Sequence, residues 1–281
     1  MALGRSFWRE TRASYAFVER NINLIKRYWG WEVVWLVYSI VNALSITFIG
    51  KAVGAITGQT FSQETIDTTI LYLIVGTLVW HYLAVVFDAI AESVQWERWE
   101  GTIEYTFMAP ISRLTHMLGT TIFAVLWGLL HTAIILVVIA LFFQINLAQA
   151  NFIGATLILL TGSLSFIGLG IVAAVLPLLF PERGAQMTNI VKATILLVSG
   201  VYYPVSVLPG WMQPIAAVSP ATYVLEGMRA ALQRNAGPGE LFSPYLLPLL
   251  ISGLLLIPTG LWIFLRGERF AKQTGRLKRN G

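Results

Sequence analysis

The stretch "SVQWERWEGTIEYTFMAPISR", Ser93–Arg113, is a polar island between two apolar runs, "TILYLIVGTLVWHYLAVVF" before it and "MLGTTIFAVLWGLLHTAIILVVIALFF" after it. Wound as a helix at about 100° per residue, Gln95–Met108 puts Trp96, Trp99, Ile103 and Phe107 on one arc. Glu97, Glu100 and Glu104 fall on the adjacent arc. Ala109-Pro110 then stops the helix, because proline lacks a donor and restricts the residue before it. The aromatic arc suits a membrane interface. The acidic stripe does not, since carboxylates gain nothing from facing an anionic leaflet. A row of exposed carboxylates suits a protein partner with a basic cleft.

The rest of the chain reads as membrane-embedded. Of its 281 residues 56% are hydrophobic and 12% charged, with a mean hydropathy of +0.70. Apolar runs of about 18 or more residues read as spans. Six are expected: Val33–Gly54, Ile70–Glu92, Met117–Phe143, Phe152–Phe180, Thr188–Pro204 and Pro244–Leu265. Arg5, Arg9, Arg12, Arg20, Lys26 and Arg27 precede the first span, and Arg266, Arg269, Lys272, Arg276, Lys278 and Arg279 follow the last. The loops Ala55–Thr69 and Gln144–Asn151 contain neither Lys nor Arg. The expectation is a multi-pass protein of the plasma (inner) membrane with both termini cytoplasmic. The island then lies in the cytoplasm and Val205–Ser243 outside. The basic ends serve topology and anionic headgroups, and nothing calls for nucleic acid. The N-terminus lacks the short apolar core of a signal peptide. The absence of cysteine excludes disulfides and thiol chemistry.

Residues 1–31 predict an interfacial helix. Tyr15, Val18, Ile22, Ile25 and Trp29 recur at steps of three and four, with arginines on other faces. Asp88 and Glu92, one turn apart, are expected to have structural or relay roles near the island, with a basic residue such as Arg98 in reach. His81 and His131 read as helix–helix hydrogen-bond partners. Gly162, Ser163, Ser165, Gly168 and Gly170 read as a close-packing face. "GxSxG" and "HExxH" are both absent, so hydrolase chemistry has no support.

"WERWEGTIEYTFMAPISR" resembles the "E-R-E-x-G-T-x-E-x-L-x-x-x-P-x-S-R" segment of the ABC type-2 permease family, the membrane subunits of ATP-driven exporters. It departs from that pattern at Tyr105, Thr106 and Phe107, where aliphatic residues are usual. A second stretch, "LLVSGVYYPVSVLPGWMQPIAAVSPATYVLEGMR", Leu196–Arg229, is similar to the same family. Its marks are Ser199-Gly200, Tyr203-Pro204, Leu208-Pro209, Trp211, Ser219-Pro220, Tyr223, Glu226 and Arg229.

The resemblance implies an all-α fold. One transmembrane domain would fill 1–281, with an interfacial connecting helix at 1–31, a six-span core at 33–265 and a basic tail at 266–281. The island would be the coupling helix, with Trp96, Glu97, Arg98, Trp99, Glu100, Gly101, Thr102, Glu104 and Arg113 engaging a separate ATPase. The chain has no "GxxxxGK[ST]" loop, so it would be a transport subunit and not an enzyme. ATP and Mg²⁺ would sit on the ATPase chain, with no cofactor or metal here. Two permeases, as a homodimer, would flank a substrate path for which Tyr72, Trp80, Tyr202 and Tyr203 are candidates. Tyr203, Pro204, Pro209, Trp211, Glu226 and Arg229 would belong to an outer lid of re-entrant helices. Glu226 and Arg229 are expected to pair there. The cargo implied is a drug-, natural-product- or lipid-like amphiphile. A polysaccharide or glycolipid is the rival, and a secondary carrier or channel a further alternative.

Overall fold

A computed structural model describes residues 2–144 and 150–275, except the side chains of residues 2–7 and Arg9. The side chains of Arg5 and Arg9, positions 145–149 of the loop Gln144–Asn151, and Arg276, Lys278 and Arg279 of the tail lie outside the described residues.

The described residues form helices and no strand. Helix α1 (Ala2–Arg27) leads into α2 (Trp29–Lys51) and a short α3 (Val53–Thr57). Then come α4 (Gln63–Glu100), α5 (Ile103–Met108) and α6 (Arg113–Phe143). Next, α7 (Phe152–Ala173) and α8 (Val175–Leu179) lead into α9 (Gly184–Val198). A single 3-10 turn (Val205–Val207), α10 (Gln213–Val218) and α11 (Pro220–Gln233) follow. Finally α12 (Pro238–Leu241) passes through a π turn (Phe242–Leu246) into α13 (Leu247–Gln273).

Among the described residues, five helical segments are long and apolar enough to cross a membrane: α2, α4, α6, α7–α8 and α12–α13. About two-thirds of the apolar stretch of α4 and of α7–α8 is buried, against 17% for α2 and α12–α13. Helices α4 and α7 are therefore the centre of the bundle, and the others wrap them. Tyr82 and Ser163 hydroxyls meet across that centre at 2.6 Å. Ser165 bonds the Ser252 hydroxyl of α13 at 2.7 Å. Gly162, Ser163, Ser165, Gly168 and Gly170 are all buried in this packing, which small residues permit by letting backbones approach.

Two elements differ from the sequence reading. The expected span Ile70–Glu92 is part of the 38-residue α4, which runs on into the island. The expected span Thr188–Pro204 is the 15-residue α9, about 22 Å long at 1.5 Å per residue and shorter than a bilayer core of about 30 Å. It stops at Ser199 because Gly200 turns into the left-handed region at φ 71°.

Candidate functional site

The island is not one helix. Helix α4 ends at Glu100, and Gly101 takes φ +73°. Thr102 N–H then donates to Glu97 O at 2.9 Å and Gly101 N–H to Arg98 O at 3.3 Å. This Schellman closure needs a left-handed residue that glycine adopts without penalty. Helix α5 restarts at Ile103 with a new direction, so the single arc drawn over Gln95–Met108 does not exist.

Its faces are also turned otherwise than the acidic-stripe expectation. Trp96 and Trp99 are exposed, at 55% and 50%, with rings edge to face at 5.4 Å. Ile103 and Phe107 are buried. Glu97 and Arg98 are buried as well, at 4% and 5%. Glu97 leaves the stripe because His116 takes it: Oε1 lies 2.9 Å from Nε2 on α6. A carboxylate accepts here, so Nε2 carries the hydrogen. Glu100 and Glu104 remain exposed.

Three anchors hold this surface. Arg113 donates to both oxygens of Glu268 on α13, each at 3.0 Å, and to the carbonyls of Phe107 (2.7 Å) and Thr106 (3.3 Å). Its guanidinium also covers the Phe107 ring at 4.4 Å, and Lys272 bonds the same Glu268 at 2.6 Å. Arg113 is thus turned inward to fasten α5. The second anchor is Pro181 O, in the α8–α9 connection, which accepts from Gln95 Nε2 at 2.7 Å and from Trp99 Nε1 at 3.1 Å. The third comes from α1. Glu10 accepts from Ser112 N–H at 3.3 and 3.2 Å and from the Thr115 hydroxyl, placing a carboxylate at the start of α6, where the helix dipole favours one. Ser112 caps the same helix through Thr115 N–H at 3.0 Å.

The second family-like stretch forms a packed plug. Helix α11 buries Ala221, Val224, Leu225, Gly227 and Met228 against α7 and α4. The Glu226–Arg229 pair does not form. Glu226 points outward, while Arg229 donates to Gly200 O (3.1 Å) and Val201 O (3.0 Å). The step of three residues allowed the pair, but the guanidinium instead satisfies two carbonyls left where α9 ends. Its plane lies 3.5 Å over the Tyr72 ring. Burial draws the Arg229 pKa below its ordinary value, against the pull of Tyr72 and Glu226. Pro204, Pro209 and Trp211 are exposed around this plug.

The model of the family described as ABC-2 type transporter matches residues 14–232. The chain belongs to that family. It is a multi-pass ABC-2 permease, a transport subunit in a family whose ATP is bound by separate ATPase subunits. No curated protein gave a significant match to it.

Of the path candidates in this ABC-2 permease, Tyr72 lies under Arg229 with its hydroxyl 3.4 Å from Gly200 O. Trp80 and Tyr202 pack half-buried against the core. The Tyr203 hydroxyl donates to Leu197 O at 2.6 Å. Asp88 is paired, but with Lys192 of α9 at 2.7 Å and not with Arg98. His131 stands against Trp127 at 4.8 Å, and Trp127 Nε1 donates to Glu32 at 3.2 Å. Among the described residues no three His, Asp or Glu side chains gather as a metal site.

Glu10, His116, Pro181, Lys192 and Glu268 escaped sequence reasoning. Each lies far along the chain from its partner, and periodicity relates only neighbours on one helix. Glu268 alone carried a local signal, an i,i+4 lysine.

Proposed function

We propose that this permease is the membrane half of an ABC exporter that moves an amphipathic or hydrophobic small molecule out of the cell. A separate ATPase would hydrolyse ATP with Mg²⁺, and two copies of the chain would pair around the path. The observation that carries this reading is the outer face of the island. Trp96, Trp99, Tyr105 and Met108 are each at least half exposed, beside the exposed Glu100 and Glu104. An aromatic patch rimmed by carboxylates suits a cleft on a basic protein partner. The anchors behind it would transmit a push on that face to α4, α6 and α13 together. In this reading α9 and the chain to Pro204 make the fifth of six crossings. The 3-10 turn, α10 and α11 are re-entrant from the outer side, and both termini lie in the cytoplasm.

Reversing Glu100→Lys and Glu104→Lys tests it. The double variant should insert normally and lose substrate-stimulated ATP hydrolysis by the complex. Stimulation equal to wild type would overturn the docking face.

A further inference from the structure

Helices α4, α8 and α9 enclose a small cleft of about 40 Å³ near the island. Asp88, Glu92, Gln95, Pro177, Thr188 and Asn189 line it. Asp88, Glu92 and Gln95 follow steps of four and three, so they share one face of α4. Lys192 occupies Asp88 at 2.7 Å. Glu92 has no ion-pair partner within 4.0 Å among the described residues. By formal count, two carboxylates stand against one lysine here, and Glu92 is the one left without an ion pair.

Gln95 adds an independent sign of a ligand. It is 4% exposed, and its Nε2 donates to Pro181 O. Its buried Oε1 has no hydrogen-bond partner among the described residues. Rotating the amide would not help, because Pro181 O can only accept. An open buried acceptor is costly, so the cleft calls for a donor.

We propose that this cleft receives the primary ammonium group of a transported amphiphile, with Glu92 as counter-charge and Gln95 Oε1 as acceptor. This inference rests on the exporter reading and names its substrate class, amines with an apolar body. An ammonium has three N–H donors. Glu92, Gln95 Oε1 and the lone pairs of Thr188 Oγ1, whose own hydrogen goes to Ala185 O, supply three acceptors. One water needs about 10–15 Å³ of cavity volume on this measure, so the cleft has room for a compact headgroup. The site also reaches the island directly. Gln95 shares Pro181 O with Trp99, so a ligand that draws on Gln95 acts on the carbonyl that anchors an exposed tryptophan of the docking face.

The test compares dodecylamine, dodecyltrimethylammonium and dodecanol. Binding to the purified permease in phosphatidylglycerol nanodiscs is read by tryptophan fluorescence, and ATP hydrolysis by the permease–ATPase complex is read in parallel. Dodecylamine should bind at least about tenfold tighter than the other two, the ratio that one charge-assisted hydrogen bond confers. Glu92→Gln and Gln95→Leu should each erase that preference. Glu92 is exposed, so its variant keeps the test alive should Gln95→Leu misfold. Competition by added phosphatidylethanolamine would identify the ammonium as a lipid's, and its absence as the free amphiphile's; either supports the cleft. Equal binding of the three probes, or a preference that survives Glu92→Gln, overturns it. Amine selectivity with no ATPase response to any amphiphile would overturn the exporter reading and leave the cleft standing.

Discussion

Arg113 and Glu268, 155 positions apart, join the island to the last helix of the bundle through two hydrogen bonds of 3.0 Å each. The Arg113 side chain is 14% exposed and the Glu268 side chain 6%, so water screens the pair little. The same guanidinium binds the carbonyls of Thr106 and Phe107 at the end of α5. One side chain thus fixes the short helix, the start of α6 and α13 relative to one another.

Arg113→Lys keeps the charge and loses the planar fork. It should lower stability by about 2 kcal/mol, the scale of one or two hydrogen bonds to a charged group. Denaturant unfolding of the permease in detergent checks this. An unchanged midpoint would mean the fork does not bear on the fold.

The three island glutamates should separate into two kinds. Glu97→Lys puts an unmatched cation beside buried His116 and should cost roughly 3–5 kcal/mol, so little folded permease should accumulate in membranes. Glu100→Lys and Glu104→Lys touch exposed positions and should change stability by less than about 0.5 kcal/mol. Quantifying folded protein by size-exclusion profile after detergent extraction decides the matter. Equal yields for all three would contradict the buried Glu97–His116 contact.

Gly76 of α4 lies against the backbone of the stretch after α9. A Cβ built there would lie 2.0 Å from Val201 O, a backbone atom with no rotamer to give. Gly76→Ala should therefore destabilise by about 1–3 kcal/mol, as overpacking does, and disturb the seat of Arg229. A thermal midpoint equal to wild type would show that the two segments are not pressed together.

Arg229 should couple more strongly to Tyr72 than to Glu226. A double-mutant cycle with Tyr72→Leu and Arg229→Ala should give an interaction of about 1–2 kcal/mol, the range of a desolvated cation–π contact. The cycle with Glu226→Ala should be additive within about 0.5 kcal/mol. Unfolding free energies of the single and double variants supply both numbers. Coupling of Glu226 equal to that of Tyr72 would restore the ion pair.

The class and the landmarks of this fold were legible in the chain. Long apolar runs mark α2, α4, α6, α7 and α13, and Ala109-Pro110 marks where the island stops. The orientation of the island was not legible. Helical spacing tells which residues share a face, but not which face meets a neighbour. Trp96 and Trp99 share an arc with Ile103 in a continuous helix, and Gly101 removes that continuity. The sequence reading ran one helix through Gly101 and one span through Gly200, and each of these glycines turns into the left-handed region where its helix ends. The partners of Glu97, Trp99 and Arg113 stand on other helices, where no periodicity reaches. The rule that buried charges are paired foretells only that such partners exist.

The central claim is that the outer face of the island seats an ATPase. The chain has no cysteine, so a single cysteine at Tyr105, 73% exposed, can be cross-linked without background. With a bismaleimide and a set of single cysteines around the cleft of the partner ATPase, the account predicts a permease–ATPase adduct whose yield changes between ATP-bound and nucleotide-free states. A cysteine at buried Ile103 should give none. No adduct from Tyr105 in any nucleotide state, with the complex intact by co-purification, would contradict it.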